Sequence, residues 1–301
     1  MRNSCLSLLL ACLLLPTTLP AQDLAPLEAA LRARIGQDTA TVSLVFRDPS
    51  RRQNLQIDGQ RRYHAASTMK VPVLIELARR VDAGDLTWDA PITIRNQFRS
   101  IVDGSPYSLD PGEDSDSTLY RIEGQSVPLA RLARLMIVRS SNLATNLIIE
   151  RLDPARVNTT AHALGADSIQ VRRGVEDQKA YDQGLNNTTT ARDLAVLMQA
   201  IATGKAASAT ATDSIRAILL DQEFRTGIPA GVPTGVQVAN KTGWITAIAH
   251  DAAIVYPAGR RPYVLVILTR GFAQEADATR LMADLSRLVY AWATQRAEPR
   301  E

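Results

Sequence analysis

The sequence predicts an α+β fold: an antiparallel sheet flanked by helices, its strands drawn from both chain ends, with an all-helical domain inserted between them. Two observations carry this. Strand-like runs fall near the N-terminus and return near the C-terminus, whereas amphipathic runs at helical spacing fill the middle. A cleft between two such lobes is a natural place for a ligand.

The elements follow in order. Residues 1–21 read as an export signal: Arg2 supplies positive charge, Cys5 to Leu15 is apolar but too short to span a bilayer, and Leu19-Pro20-Ala21 ends in a small residue. Leu9-Leu10-Ala11-Cys12 also resembles a lipobox, but leucines follow it where a polar linker belongs, which argues against lipidation at Cys12. Leu24 to Ile35 has apolar residues at helical spacing, Thr39 to Phe46 is strand-like, and a second strand falls within Asn54 to Tyr63. From Ser67 the pattern turns helical and stops at Gly84. The polar stretch Gly104 to Gln125 reads as a long loop.

Helices are expected over Val127 to Val138 and Asn142 to Leu152. Thr190-Ala191-Arg192-Asp193 opens another helix as a capping box, and Ala211 to Leu220 is helical as well. Val236 to Asn240, Ala252 to Tyr256 and Tyr263 to Thr269 are strands, and Asp277 to Trp292 is an amphipathic helix. The expected organisation is a sheet domain of residues 22–66 and 215–301 around a helical domain of residues 67–214.

Composition excludes several function classes. The chain has 301 residues, 46% hydrophobic and 22% charged, which is globular composition, and a formal net charge of only +3 argues against disorder. Its basic residues form scattered pairs, such as Arg51-Arg52 and Arg260-Arg261, with acidic residues between them, so no nucleic-acid-binding stripe is expected. Both cysteines, Cys5 and Cys12, lie in the export signal, so the mature chain has no disulfide, thiol nucleophile or thiolate metal site. The three histidines, His64, His162 and His250, have no metal-ligand spacing, and no G-x-S-x-G elbow accompanies them. No metal, nucleotide or organic cofactor is expected, because neither a Walker loop nor a dinucleotide fingerprint is present.

Three short motifs carry chemistry. Ser67-Thr68-Met69-Lys70 puts serine and lysine one helical turn apart. Serine needs a base, and lysine serves as one only when burial or a neighbouring cation lowers its pKa. Only four of the 34 Lys and Arg residues are Lys: Lys70, Lys179, Lys205 and Lys241. A chain so rich in Arg keeps lysine at position 70, where an arginine could not deprotonate. Lys241-Thr242-Gly243, after an expected strand, supplies a cation, a hydroxyl and room for substrate backbone. Lys241 either binds a substrate carboxylate or holds down a neighbour's pKa; in isolation the motif reads as a surface turn. Ser140-Ser141-Asn142 follows an amphipathic helix; it offers a proton relay at Ser140 and an amide at Asn142, though alone it reads as a helix cap.

In that order on one exported chain, S-x-x-K, S-x-N and K-T-G resemble the motif set of the class A β-lactamases, penicillin-recognising active-site serine hydrolases. His64 to Val71, Ser140 to Leu147, Thr188 to Thr190 and Val238 to Gly243 extend the likeness, which spans roughly Leu24 to Trp292. The resemblance implies the β-lactamase/transpeptidase-like fold. It also implies that Ser67 attacks a carbonyl with Lys70 as base, that the N–H groups of Ser67 and Trp244 form an oxyanion hole, and that Ser140 passes a proton to the leaving nitrogen. Lys241 and Thr242 would engage a substrate carboxylate, Gly243 would let substrate approach, and Asn142 would contact a side-chain amide.

Three departures stand out. Ser141 replaces the aspartate of S-D-N, which is expected to alter local support. The Gly104 to Gln125 stretch is longer than usual, and Tyr107 or Tyr120 is expected to line the cleft. The third is in the loop expected to carry the deacylating glutamate, Arg172 to Lys179, which lacks the family's E-P-E-L-N continuation and is shifted in register by a residue or two; Glu176 is the candidate there, and its other reading is a loop carboxylate paired with Arg172 or Arg173. The resemblance thus points to a secreted, periplasmic, monomeric β-lactamase acting on a small β-lactam or peptidoglycan-like substrate. Its alternatives are a D-alanyl-D-alanine carboxypeptidase or serine esterase on the same scaffold, and a non-hydrolysing β-lactam-binding protein.

Overall fold

A computed structural model describes residues 23–295. Residues 1–21, where an export signal is expected, and with them Cys5 and Cys12, lie outside the described residues. Helix α1 (Ala25–Ile35) opens with Pro26 in its first turn, where a missing N–H costs nothing, and leads into β1 (Thr41–Asp48) and β2 (Gln53–Ile57). Helices α2 (Lys70–Asp82), α3 (Leu129–Val138), α4 (Asn142–Leu152), α5 (Pro154–Ala163), the short α6 (Gln178–Asp182), α7 (Ala191–Ala202) and α8 (Ala209–Leu220) follow. The chain then returns to strands, β3 (Gln237–Ile245), β4 (Ile248–Tyr256) and β5 (Tyr263–Arg270), and ends in α9 (Glu275–Thr294).

The five strands form one antiparallel sheet in the order β2-β1-β5-β4-β3, so strands from the two ends of the chain meet where β1 pairs with β5. The pairing Leu44↔Ile267 and Phe46↔Leu265 fixes the register. Alternation then assigns the faces. Leu44, Phe46, Leu265 and Ile267 pack under α1 and α9, and Val45, Val264, Val266 and Leu268 pack toward the helical body. Both faces are covered, which explains why β4 and β5 are nearly continuous apolar runs. Leu281, Leu285, Val289 and Trp292 form the buried stripe of α9, each leucine stabilising by about 1.5–3 kcal/mol on full burial.

Local chemistry sets the helix ends. Thr190 accepts from the Asp193 N–H at the start of α7, Ser141 accepts from the Ala144 N–H at α4, and Gly84 at φ 81° follows α2 in a conformation L-residues avoid. The structure differs from the sequence reading in particular places. Ser67 lies in a 3-10 turn (Ala66–Met69), and the α-helix begins only at Lys70. Strand β3 runs through Lys241 to Ile245, because its ladder with β4 continues through Lys241↔Ala252 and Gly243↔His250. Helix α5 was invisible to periodicity because it buries only Val157 and Ala161. The Gly104 to Gln125 loop supplies Pro106–Tyr107, which pairs with Phe98–Arg99 just before it, and contains a 3-10 turn at Tyr120–Ile122.

Candidate active site

The site is assembled from separate elements: the 3-10 turn with Ser67, the start of α2 with Lys70, the α3–α4 junction with Ser140 and Asn142, the loop with Glu176, and β3 with Lys241 to Trp244. The turn holding Ser67 is seated by Thr68, whose hydroxyl donates to the Ala65 carbonyl at 2.5 Å, and by the Ala66 N–H, which donates to His64 Nδ1 at 3.0 Å. Ala66 itself has φ 45°, in the left-handed region. Ser140 (φ 56°) and Glu176 (φ 62°) share that conformation, so strained backbone recurs at or beside three candidate site residues. Gly243 of β3 abuts the same turn: a Cβ there would sit 2.7 Å from the Ser67 N and 2.8 Å from the Thr68 N. Only glycine lets the strand approach the turn this closely.

Lys70 and Lys241 are both fully buried and converge on Ser140. Lys70 Nζ donates to the Ser140 carbonyl (2.6 Å), to Ser140 Oγ (3.2 Å) and to Asn142 Oδ1 (3.0 Å). Lys241 Nζ donates to the same Ser140 Oγ (3.0 Å) and to the Thr242 carbonyl (2.7 Å). Burial pushes the Lys70 ammonium down to about 7, against the pull of Asp114 and Glu176. Burial, then the Lys70 charge, holds Lys241 well below its ordinary value. Behind β3, Asp251 accepts from Asn240 Nδ2 (3.0 Å) and from the Ile228 N–H (2.9 Å), and burial raises its carboxyl to about 6.

Glu176 is half-buried. It accepts from Asn142 Nδ2 (2.9 Å) on one oxygen and from the Asp110 N–H (3.0 Å) on the other; burial raises its pKa against both bonds. It is not held by an arginine as the other reading supposed. Arg173 donates instead to the Leu185 and Gly174 carbonyls and to Asn186 Oδ1. The loop carrying Glu176 is pinned by Asn146, which accepts from the Val175 N–H and donates to the Val175 carbonyl, and by Asp177, which accepts from Ser100 Oγ and the Ile101 N–H.

Ser67, Asn142 and Trp244 line both of two adjoining cavities, of about 270 Å³ and about 170 Å³. Glu176 faces the larger one, and Ser140, Thr242 and Gly243 face the smaller. Trp244 is 60% exposed at the rim. All nine residues singled out from the sequence therefore sit in one cleft or in its immediate wall.

Tyr107 and Tyr120 correct an expectation: neither lines these cavities. Tyr107 packs behind the Glu176 loop, its hydroxyl 3.5 Å from the Val175 carbonyl, and Tyr120 donates to Asp114. Asp114 and Asp251 were missed because nothing in their local sequence marks them. Asn146, one turn after Asn142 on α4, was legible as a residue facing the same way. Among the described residues no group of three His, Cys, Asp or Glu is placed to hold a metal ion, and no helix is long and apolar enough to cross a membrane.

Known proteins place this architecture. The solved structure of PBP-A superposes with a TM-score of 0.77 at 27% identity, covering 92% of this chain and 99% of that one. A β-lactamase structure from Sphaerobacter thermophilus superposes with a TM-score of 0.75 at 25% identity, covering 92% and 100%. Among sequences, β-lactamase Toho-2 of Escherichia coli is 26% identical over 95% of this chain and 94% of its own length. β-Lactamase ROB-1 of Haemophilus influenzae is 26% identical over 89% and 83%. The family model described as the β-lactamase enzyme family matches residues 26–293, and with that span, this fold and these motifs, the chain belongs to the β-lactamase enzyme family.

Proposed function

We propose that the protein is a serine β-lactamase that opens the lactam amide through an acyl-enzyme on Ser67. The observation that carries this reading is the Ser140 hydroxyl, bonded by two buried lysine ammoniums at the edge of the cleft that Ser67 lines. With Lys70 near neutrality at pH 7, its amine takes the Ser67 proton as Oγ adds to the carbonyl. The N–H groups of Ser67 and Trp244 hold the oxyanion. The Lys70 ammonium formed by that proton transfer donates to Ser140 Oγ, as Lys241 does, which leaves the Ser140 hydroxyl proton to be given to the leaving nitrogen while Lys70 returns its proton to Ser140. That chain delivers a proton to the leaving nitrogen as the C–N bond breaks. Thr242 and Lys241 bind the substrate carboxylate, and Asn142 binds the side-chain amide. Glu176 then takes a proton from water, which attacks the ester and frees Ser67.

A second reading is a chain that acylates and stays acylated. It is favoured by the Glu176 carboxylate, which already has one bond on each oxygen. A point mutant of PBP-A, 27% identical to this chain, is described as an acyl-enzyme complex with penicillin G. The D-alanyl-D-alanine carboxypeptidase and esterase readings use the same nucleophile. Export to the periplasm through residues 1–21 and a monomeric state complete the proposal.

Mixing mature protein with nitrocefin and following absorbance and intact mass separates these readings. Turnover supports the lactamase. A lasting mass increase on Ser67 without turnover supports the second reading. Turnover of a D-Ala-D-Ala peptide or small ester, with lactams only inhibiting, supports the third. Neither turnover nor labelling sinks Ser67 as nucleophile.

A further inference from the structure

Helix α4 starts without a strong cap of its own. Its N-cap is Ser141, a neutral hydroxyl that accepts only from the Ala144 N–H at 3.3 Å. The first two helical N–H groups are instead taken by a residue from the long Gly104 to Gln125 loop. Both oxygens of Asp114 lie 2.9 Å from the Asn142 N–H, and Asp114 Oδ2 lies 2.9 Å from the Leu143 N–H. The carboxylate is buried and further held by Tyr120 Oη (2.9 Å), by the Asp116 N–H (3.1 Å) and at 3.5 Å by Ser141 Oγ. An anion against free helix N–H groups is stabilised by both the bonds and the dipole.

The residue gripped in this way is Asn142, and both ends of its amide are in use. Oδ1 accepts from Lys70 and Nδ2 donates to Glu176. We propose that Asp114 is a positioning residue of the active site: by anchoring the backbone of Asn142 it sets the amide that aligns Lys70 and Glu176. The long loop thus supplies a carboxylate that residue 141 lacks, and the same loop fixes Glu176 through the Asp110 N–H. This rests on Ser67, Lys70 and Glu176 having the roles proposed above.

Asp114 also acts on Lys70 by charge. The charged groups facing Lys70 are Asp114, Glu176 and, across Ser140, Lys241. Asp114 is the larger of the two influences that favour the ammonium. Removing its charge lowers the pH at which Lys70 becomes neutral.

The test uses the mature full chain as wild type, Asp114→Asn and the double variant Asp114→Asn/Ser141→Asp, which returns a carboxylate from the N-cap position itself. Two readouts are taken. One is the Lys70 midpoint from NMR of lysines labelled at Cε, tractable because the chain has only four lysines. The other is the pre-steady-state acylation rate with nitrocefin against pH. In Asp114→Asn the Lys70 midpoint moves to lower pH and acylation at its plateau falls at least about tenfold, as expected for misplaced catalytic groups. The double variant returns both toward wild type. An unchanged midpoint with an unchanged rate overturns the proposal. Where Asp114→Asn does not fold, the double variant decides: folded and within about threefold of wild type supports the proposal, and folded but slower than about tenfold, or unfolded, overturns it. A wild-type chain that never acylates falls on the Ser67 reading, while the Lys70 midpoint still reports on Asp114.

Discussion

Lys70 and Lys241 donate to the same acceptor, the Ser140 hydroxyl, from 3.2 Å and 3.0 Å, although they stand 171 positions apart in the chain. Two buried ammoniums on one hydroxyl cannot both stay charged without cost, and the pair is therefore where proton transfer concentrates.

Acylation should follow the neutral form of Lys70. Because burial brings that group to about 7, the acylation rate rises as pH increases through 7 and levels above it. Lys70→Arg keeps a cation that does not deprotonate and should lose on the order of 10²–10⁴ in acylation rate. Stopped-flow acylation against pH checks both; a flat profile across neutral pH would sink the lysine-base assignment.

Glu176→Gln should leave acylation within a few-fold of wild type and slow deacylation on the order of 10²–10⁴, so an acyl-enzyme accumulates in intact-mass spectra. Equal slowing of both steps contradicts a deacylation role. The glutamine oxygen still accepts from Asn142 Nδ2, and only the bond from the N–H of the exposed Asp110 is lost, so folding is expected to survive.

Gly243→Ala should reduce kcat on the order of 10²-fold, since its Cβ would meet the Ser67 and Thr68 backbone at 2.7 and 2.8 Å and push the nucleophile turn aside. Steady-state kinetics alongside a thermal melt checks it. A wild-type kcat would mean the strand and turn can separate freely.

His250 is buried between β3 and β5, its Nε2 2.9 Å from the His64 carbonyl, and burial lowers its pKa from 6.5 to about 4. A depressed histidine pKa means that the unfolded chain binds more protons between those values. Stability from this group is therefore fully present above 6.5 and is lost as pH falls from there to about 4, a change of about 3 kcal/mol. The melting temperature of wild type minus that of His250→Gln should shrink as pH is lowered across that interval. A difference independent of pH would place no titration at His250.

The order of elements was legible because it rests on local pattern. The returning strands Ala252 to Tyr256 and Tyr263 to Thr269 and the capped helix after Thr190 appear where periodicity put them, shifted by a few residues at their ends. Helix α5 was not legible, since Val157 and Ala161 are too few to mark a face. The motifs were legible because serine, lysine and glutamate are chemically informative even out of context.

The sequence by itself determined which groups are candidates: Ser67, Lys70, Ser140, Asn142, Glu176 and Lys241 are recognisable as residue types at meaningful spacing. Only the tertiary structure decided how they are arranged and in what environment. Burial, which no local pattern reports, sets the titration of Lys70 and raises Glu176. Pairings across long chain separations decide the rest, with Asp114 meeting Asn142 28 residues later and Ser140 meeting Lys241 101 residues later. Electrostatics and hydrogen bonding depend on distance in space and on exclusion of water, and the folded sheet and helices alone create both.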